Sequence, residues 1–420
     1  MDLIYLDNNA TTRPSPEVAA AVAEAHEAWW ANPSSVYRFG QQVRQRLELA
    51  RASVARLIGA RPRELVFTSG GTEACALALD GVMDRWGAKP TDSEGPGPGG
   101  TLITSWTEHA AVRELAEARE KRGGVVVWLP TVAGGAVDVA ALIDALGSLG
   151  GPALVSAMWA NNETGVVQPI GAVAAAVAEA RGAGKEVWLH TDATQAVGKL
   201  PVDVNSLPGG TQVSGAPGAG VDLLSFAGHK FHGPKGVGGL WVRRGVRLLP
   251  QQHGGPQETE RRGGTENVPG VIGMGVAADQ ASAWVRDAAE AGAQGDLRDR
   301  LEARIQHGLA EAGLPTPAVN SGGSERLWNT TNLGFRGLEA EAILLGLSER
   351  GVCASAGAAC SSGSLEPSPV LLAMGVEEAV AHGSIRWSLS RHTTAEEIDA
   401  AAAAVVAVVG RLAKVMPMGG

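Results

Sequence analysis

Up to about residue 242, short apolar runs alternate with segments of helical periodicity, and this alternation is the strongest constraint on the fold. Val43, Leu47, Ala50, Val54 and Leu57 recur at three- and four-residue intervals, which predicts a helix closed by Gly59. Strands are expected over 64–68, 102–106, 125–129, 154–160, 187–191, 223–226 and 238–242, and helices over 72–86, 110–122 and 170–181. Apolar strands separated by helices build a mostly parallel sheet covered on both faces, so the expected class is α/β. After about Thr265 the pattern shifts to longer helices with a few strands, at 331–335 and 385–389, which predicts a second, smaller domain. The stretches 90–100 and 205–220 are rich in Gly, Pro and Ser, lack periodicity and are expected to be surface loops.

Composition narrows the function classes. The chain has 420 residues, 45% apolar and 19% charged, which is enough to bury a large core. A net charge of −9 without a Lys/Arg stripe argues against nucleic acid or an anionic membrane surface as partner. No apolar run approaches the roughly 18 residues of a spanning helix. The N-terminal MDLIYLDNNATT has no basic region of a secretory signal. Cys75, Cys353 and Cys360 form no CxxC, which points to a reducing cytoplasm rather than to disulfides or structural zinc.

In open α/β sheets, ligands bind beyond the C-terminal strand ends. The chain's polar motifs stand there. Ser69-Gly70-Gly71-Thr72-Glu73 follows a strand and opens a helix, so it suits a phosphate, although alone it reads more readily as an ordinary helix N-cap. Glu108-His109 and Asn161-Asn162-Glu163-Thr164-Gly165 follow two further strands, and alone neither demands a function. Asp192 ends another; a buried carboxylate there needs a cation, which a protonated pyridine nitrogen or a salt bridge would supply, unless it is an N-cap.

Gly228-His229-Lys230 ends the run 223–226. The seven lysines are Lys89, Lys121, Lys185, Lys199, Lys230, Lys235 and Lys414, against 35 Lys plus Arg in total. A lysine at a strand end is suited to Schiff-base chemistry, which a guanidinium is not. High-GC coding bias also explains scarce lysine. Lys235 lies inside a glycine turn, and the P-loop spacing GxxxxGK[ST] is absent. Cys360 sits among small residues in ASAGAACSSGS, a setting for an exposed, nucleophilic thiol. Cys75 and Cys353 read as core cysteines. Arg386, in the alternating segment SIRWSL, can meet a carboxylate as a fork or serve as a surface charge.

Together these motifs resemble the cysteine desulfurases of the NifS/IscS group, within the class V aminotransferase-like enzymes that use pyridoxal 5′-phosphate. The resemblance runs from YLDNNATT at 5–12 to SIRWSLSRHTTAEEID at 384–399, through NPSS, TSGGTEA, TEHAAV, NNETG, HTDATQAVGK, GHKFHGPKGVGG, RRGGTEN and AACSSGSLEPS. It implies fold type I, with a large domain over 14–264 carrying a seven-stranded, mostly parallel sheet. A smaller α+β domain would comprise 1–13 and 265–420 and carry the cysteine loop.

The resemblance also implies roles. Lys230 would be the Schiff-base lysine, Asp192 the partner of the ring nitrogen, and His109 the ring-stacking group that helps move protons. Gln195 would bond the ring phenol oxygen. Gly71, Thr72 and His229 would hold the phosphate, with Thr265 reaching the phosphate of the neighbouring subunit of a homodimer. Asn162 and Arg386 would hold the carboxylate of L-cysteine. Cys360 would accept the sulfur as a persulfide, pass it to an iron–sulfur scaffold or another acceptor, and serve as a transient iron–sulfur ligand there.

WANNETG and SLSRHTT look most like the nitrogen-fixation branch. Three positions depart from the family pattern. Ala227 stands at the cofactor where a hydroxyl or thiol donor is common, Trp387 replaces a usual Phe, and Pro369 replaces His or Tyr. The long segment around Cys360 resembles the group with mobile cysteine loops. Selenocysteine lyase, another pyridoxal phosphate transferase, and a non-enzymatic scaffold are the alternatives; a transaminase has no need of Cys360, and a scaffold has no need of Lys230, Asp192 and Arg386 together.

Overall fold

The computed structural model describes residues 3–87, 99–206, 220–356 and 366–415. Cys360 lies outside these, as do 90–98 and 207–219 of the two Gly/Pro/Ser-rich stretches.

Among the described residues, seven strands form one sheet, in the order Leu65–Thr68, Gly238–Val242, Leu223–Ala227, Val187–Asp192, Ala153–Ser156, Thr101–Ser105, Val125–Leu129. All run parallel except Gly238–Val242, which is antiparallel to both its neighbours. Its link from Ala227 holds only a 3-10 turn and glycine turns. Without a crossover helix the chain must return alongside the strand it left. From Leu65–Thr68 through Val187–Asp192 successive strands are joined through helices, including Gly71–Gly87, Ala110–Lys121 and Ile170–Gly182, close to the expected bounds. The helices Pro16–Ala28 and Val139–Gly147 were not foreseen from the sequence.

The strand expected over 154–160 ends its ladder at Ser156. Beyond it, Ala157 N–H and Trp159 N–H donate to the carbonyls of His190 (3.1 Å) and Asp192 (2.9 Å). The chain therefore stays extended past the ladder, toward Asn161 and Asn162.

The helix Arg38–Leu57 buries Val43, Leu47, Ala50, Val54 and Leu57, the predicted stripe. It packs against Val268–Trp284, whose Val268, Val271, Met274, Ala277, Ala278 and Ala281 sit in the same core as Phe67, Ile103, Val155 and Leu224 of the sheet. That helix lies beyond residue 264, yet its apolar face belongs with the sheet.

A separate core gathers Leu301, Ile305, Ile343, Leu347, Ile385, Trp387, Val405 and Val408, and Leu6 joins it. It carries an antiparallel sheet of Ser384–Ser388, Thr330–Gly334 and Ala318–Val319. Ile4–Tyr5 pairs with Val352–Cys353. The N-terminal segment thus starts in the second core and crosses to the main sheet. Among the described residues, no helix is long and apolar enough to cross a membrane.

Candidate active site

The C-terminal strand ends and the first turn of Gly71–Gly87 surround one cavity of about 940 Å³. Its wall brings together Gly71, Thr72, His109, Asn162, Asp192, Gln195, Ala227, His229, Lys230 and Arg386. Thr265 is exposed and does not line it. Glu366 and Pro367, which follow the segment holding Cys360, form part of the wall.

Lys230 is delivered by the strand Leu223–Ala227, five buried residues ending in the tight turn Gly228–Lys230. Its Nζ donates to the carbonyls of Asn9 (2.6 Å) and Ala10 (2.8 Å). Lys235 is exposed, outside the cavity.

Asp192 is 5% exposed, with Oδ1 accepting Thr194 N–H at 2.9 Å. One oxygen therefore caps a turn, as one sequence reading had it. Among the described residues no cation forms an ion pair with this carboxylate, although a buried carboxylate needs positive charge nearby. Asp192 lines the cavity, where a bound group can bring such a charge.

His109 is the N-cap of Ala110–Lys121, and its Nδ1 accepts Ala111 N–H at 3.1 Å. The ring proton therefore resides on Nε2 in the neutral form. Burial holds the His109 pKa below the ordinary histidine value, Lys230 adding to this while Asp192 opposes it.

Gly71 meets Thr194 and Ala227. A Cβ at Gly71 would come within 3.0 Å of Thr194 Oγ1, so only glycine leaves the concavity open. Thr194 Oγ1 is buried and has no hydrogen-bond partner among the described residues. Glu73 does not fill the cradle: its carboxylate takes Ser69 N–H (2.7 Å) and Arg262 Nε (2.8 Å). His229 Nδ1 lies 3.1 Å from Thr11 Oγ1. Burial, with Lys230 and Lys235 nearby, pushes His229 down to about 4.

Arg386 is 2% exposed. Its Nη2 donates to Asp7 Oδ1 (2.6 Å) and its Nη1 to the Asn162 carbonyl (3.1 Å). It does point at a carboxylate, as the alternating segment suggested, and that carboxylate belongs to the chain itself. Asn162 Oδ1 is buried on the cavity wall without a partner among the described residues.

Sequence reasoning missed Asn9, Asp7 and Lys199. Asn9 is 1% exposed and is the hub of the site. Its carbonyl accepts from Lys230 and Gln195, its Nδ2 donates to the Asn162 carbonyl and Thr330 Oγ1, and its Oδ1 accepts from Lys199 and Asn329. YLDNNATT marked the segment as a motif, but nothing in its spacing shows these distant partners. Lysine scarcity, which drew attention to Lys230, would have flagged Lys199 as well. Cys75 is fully buried, as expected, whereas Cys353 is only partly covered. No group of 3 or more His, Cys, Asp or Glu side chains among the described residues is placed to hold a metal ion.

The aminotransferase class-V profile matches residues 4–401. The chain belongs to the class-V aminotransferase family. Within it, the chain is 44% identical over 417 residues to Cysteine desulfurase 2 of Trichormus variabilis, covering 99% of this chain and 96% of that protein. It is 41% identical over 416 residues to Cysteine desulfurase NifS of Azotobacter vinelandii, covering 99% and 94%. A solved structure described as a NifS-like protein superposes with a TM-score of 0.82 at 31% identity, covering 98% of this chain and 100% of that one. The family resemblance read from the motifs is thus borne out over the whole chain, and so is the α/β architecture with its mostly parallel seven-stranded sheet.

Membership of the class-V aminotransferases implies dependence on pyridoxal 5′-phosphate. The cavity fits that group: among the described residues Asp192 is a buried carboxylate with no ion-pair partner, Gly71 and Thr194 leave a concavity with an unused donor, and Lys230 presents an amine.

Proposed function

We propose that this protein is a cysteine desulfurase that converts L-cysteine to L-alanine and carries the released sulfur as a persulfide on Cys360. The observation that carries this reading is Asp192, buried and without an ion-pair partner among the described residues, on the wall that also presents Lys230 and Arg386. When bound, pyridoxal phosphate supplies an electron sink that acidifies the substrate's α-carbon and weakens its C–S bond.

The chain's own residues do the rest. Lys230 Nζ would hold the cofactor and, as a free amine, would take the substrate's α-proton. Asp192 keeps a proton on the ring nitrogen. His109, neutral and fixed by its N-cap bond, covers the ring and offers Nε2 for proton movement. Gln195 donates to the ring oxygen. Gly71, Thr72 and His229 hold the phosphate, and the unused Thr194 hydroxyl lies close enough to supply the donor that Ala227 lacks. Arg386 and Asn162 take the substrate carboxylate. Cys360, as a thiolate, would attack the substrate sulfur, forming an S–S bond as the C–S bond breaks, with the C–S electron pair left on the substrate's carbon, which is then protonated to give alanine.

An acceptor protein, an iron–sulfur scaffold or another sulfur carrier, then collects the sulfur. The exposed Thr265 completes the phosphate site of a second copy in a homodimer. The catalytic setting is the cytoplasm, in keeping with three cysteines and no CxxC. The large unit runs from residue 14 to at least 264, and residues 1–13 belong with the C-terminal unit.

Reconstitution with pyridoxal phosphate tests the reading. The protein should gain the visible absorption of a lysine-bound cofactor and consume L-cysteine, and Lys230→Ala should gain no such band. A persistent lysine adduct in that variant would sink the assignment of Lys230.

A further inference from the structure

We infer that Lys199 is a positioning residue that fixes the orientation of the Gln195 amide, so that an N–H of Gln195, and not its oxygen, faces the cavity. The inference rests on the cofactor reading above.

Lys199 is only 5% exposed, an environment lysine almost never occupies without a partner. Among the described residues no carboxylate pairs with it. Its Nζ donates instead to two neutral oxygens, Gln195 Oε1 and Asn9 Oδ1, the latter at 2.9 Å. Burial, then the charges of Lys230 and Arg386, pull Lys199 well below the usual lysine range. This does not disturb the arrangement: the ammonium has three hydrogens and the neutral amine still has two, one for each oxygen.

Gln195 is 4% exposed, and its Nε2 donates to the Asn9 carbonyl at 3.0 Å. Turned over, the amide would press its oxygen against that carbonyl and its nitrogen against the donor Nζ. Both contacts are repulsive, so the amide is held in one sense from two sides. An amide nitrogen carries two hydrogens. One goes to Asn9; the other remains for the cavity that Gln195 lines. An N–H there suits an anionic ring oxygen, whereas the amide oxygen would repel it. The backbone keeps the pair in register: Lys199 N–H bonds the Ala196 carbonyl, and Trp328 Nε1 bonds the Lys199 carbonyl, each at 3.0 Å. The same Asn9 carbonyl takes Lys230 Nζ, so one atom orients both the amide and the amine.

The test uses the full-length protein reconstituted with pyridoxal phosphate. Lys199→Met removes the donors at similar length, Lys199→Gln restores an N–H donor, and Gln195→Leu removes the amide. The readouts are the cofactor dissociation constant and the visible circular dichroism of the bound cofactor, which reports a fixed ring. Lys199→Met should weaken cofactor binding about tenfold, the factor expected for a lost hydrogen bond to a charged oxygen, and diminish the visible dichroism. Lys199→Gln should recover most of both. Gln195→Leu should reproduce the loss, and Lys199→Met should add almost nothing to it in the double variant.

A folded Lys199→Met protein with unchanged affinity and dichroism would overturn the inference, as would losses that simply multiply in the double variant. If Lys199→Met does not fold, Lys199→Gln decides: affinity as weak as that of Gln195→Leu overturns the inference. Parental protein that gains no lysine-bound band would instead overturn the cofactor reading itself.

Discussion

Arg386 Nη2 donates to Asp7 Oδ1 at 2.6 Å, so the buried guanidinium facing the cavity is already engaged by a carboxylate of the N-terminal segment. Asp7 both steadies the fork and competes with an incoming substrate carboxylate. Asp7→Asn keeps an acceptor oxygen of the same size and removes the negative charge. The KM for L-cysteine should fall severalfold in this variant. Stability should drop by about 2 kcal/mol, less than for a fully buried pair because the Asp7 side chain is 20% exposed. Steady-state kinetics and denaturant titration check both; a raised KM with unchanged stability would contradict this role.

Acid should destabilise the fold through its buried histidines. His190, His229 and His232 are each pushed down from 6.5 to about 4, chiefly by burial. Their folded pKa values are depressed, so below pH 6.5 the unfolded chain binds more protons and stability falls as pH drops toward 4. His190 lies fully buried between Ser156 Oγ (2.9 Å) and Ser225 Oγ (2.8 Å), and should contribute the most. Its slope approaches about 1.4 kcal/mol per pH unit. Urea midpoints measured from pH 7.5 to 4.5 should fall steadily; a flat profile across that window would refute the neutral, buried assignment.

Ser368 should matter more than an ordinary serine. Its Oγ donates to Glu163 Oε2 at 2.5 Å and accepts Val370 and Leu371 N–H at the start of Pro369–Ala373. Ser368→Ala removes a helix cap and strands a carboxyl that burial already drives up in pKa. A loss of about 1–3 kcal/mol is expected. Thermal unfolding measures it, and Ser368→Thr, which keeps the hydroxyl, should recover most of the loss.

Much of this site was legible in the sequence because its groups stand at strand ends. An apolar run followed by Gly-His-Lys, or by His-Thr-Asp, states both the strand and where its polar group emerges. Legibility stopped where a role depends on packing between distant segments. Asn9 bonds Lys230 and Gln195 across about 190 to 220 residues, and Asp7 meets Arg386 across 379, separations no local pattern encodes. The reversed direction of Gly238–Val242 follows from the short glycine-rich link before it, a clue in the linker rather than in the strand. The helix Val268–Trp284 packs on the sheet although the periodicity changes at about Thr265, because a helix's partner is set by its buried face and not by its place in the chain.

Cys360 should be dispensable for binding and essential for sulfur transfer. Cys360→Ala reconstituted with cofactor should still show the lysine-bound band, and the band should still shift on adding L-cysteine. Alanine release should fall to background. Normal alanine and sulfide production in that variant would remove Cys360 from the reaction.

The most direct measurement is to mix the reconstituted protein with L-cysteine, quantify alanine, and take the mass of the peptide containing Cys360 before and after adding a reductant. The account predicts alanine formation together with one added sulfur atom on Cys360, lost on reduction. Alanine formed without that added mass, or cysteine consumed without alanine, would contradict it.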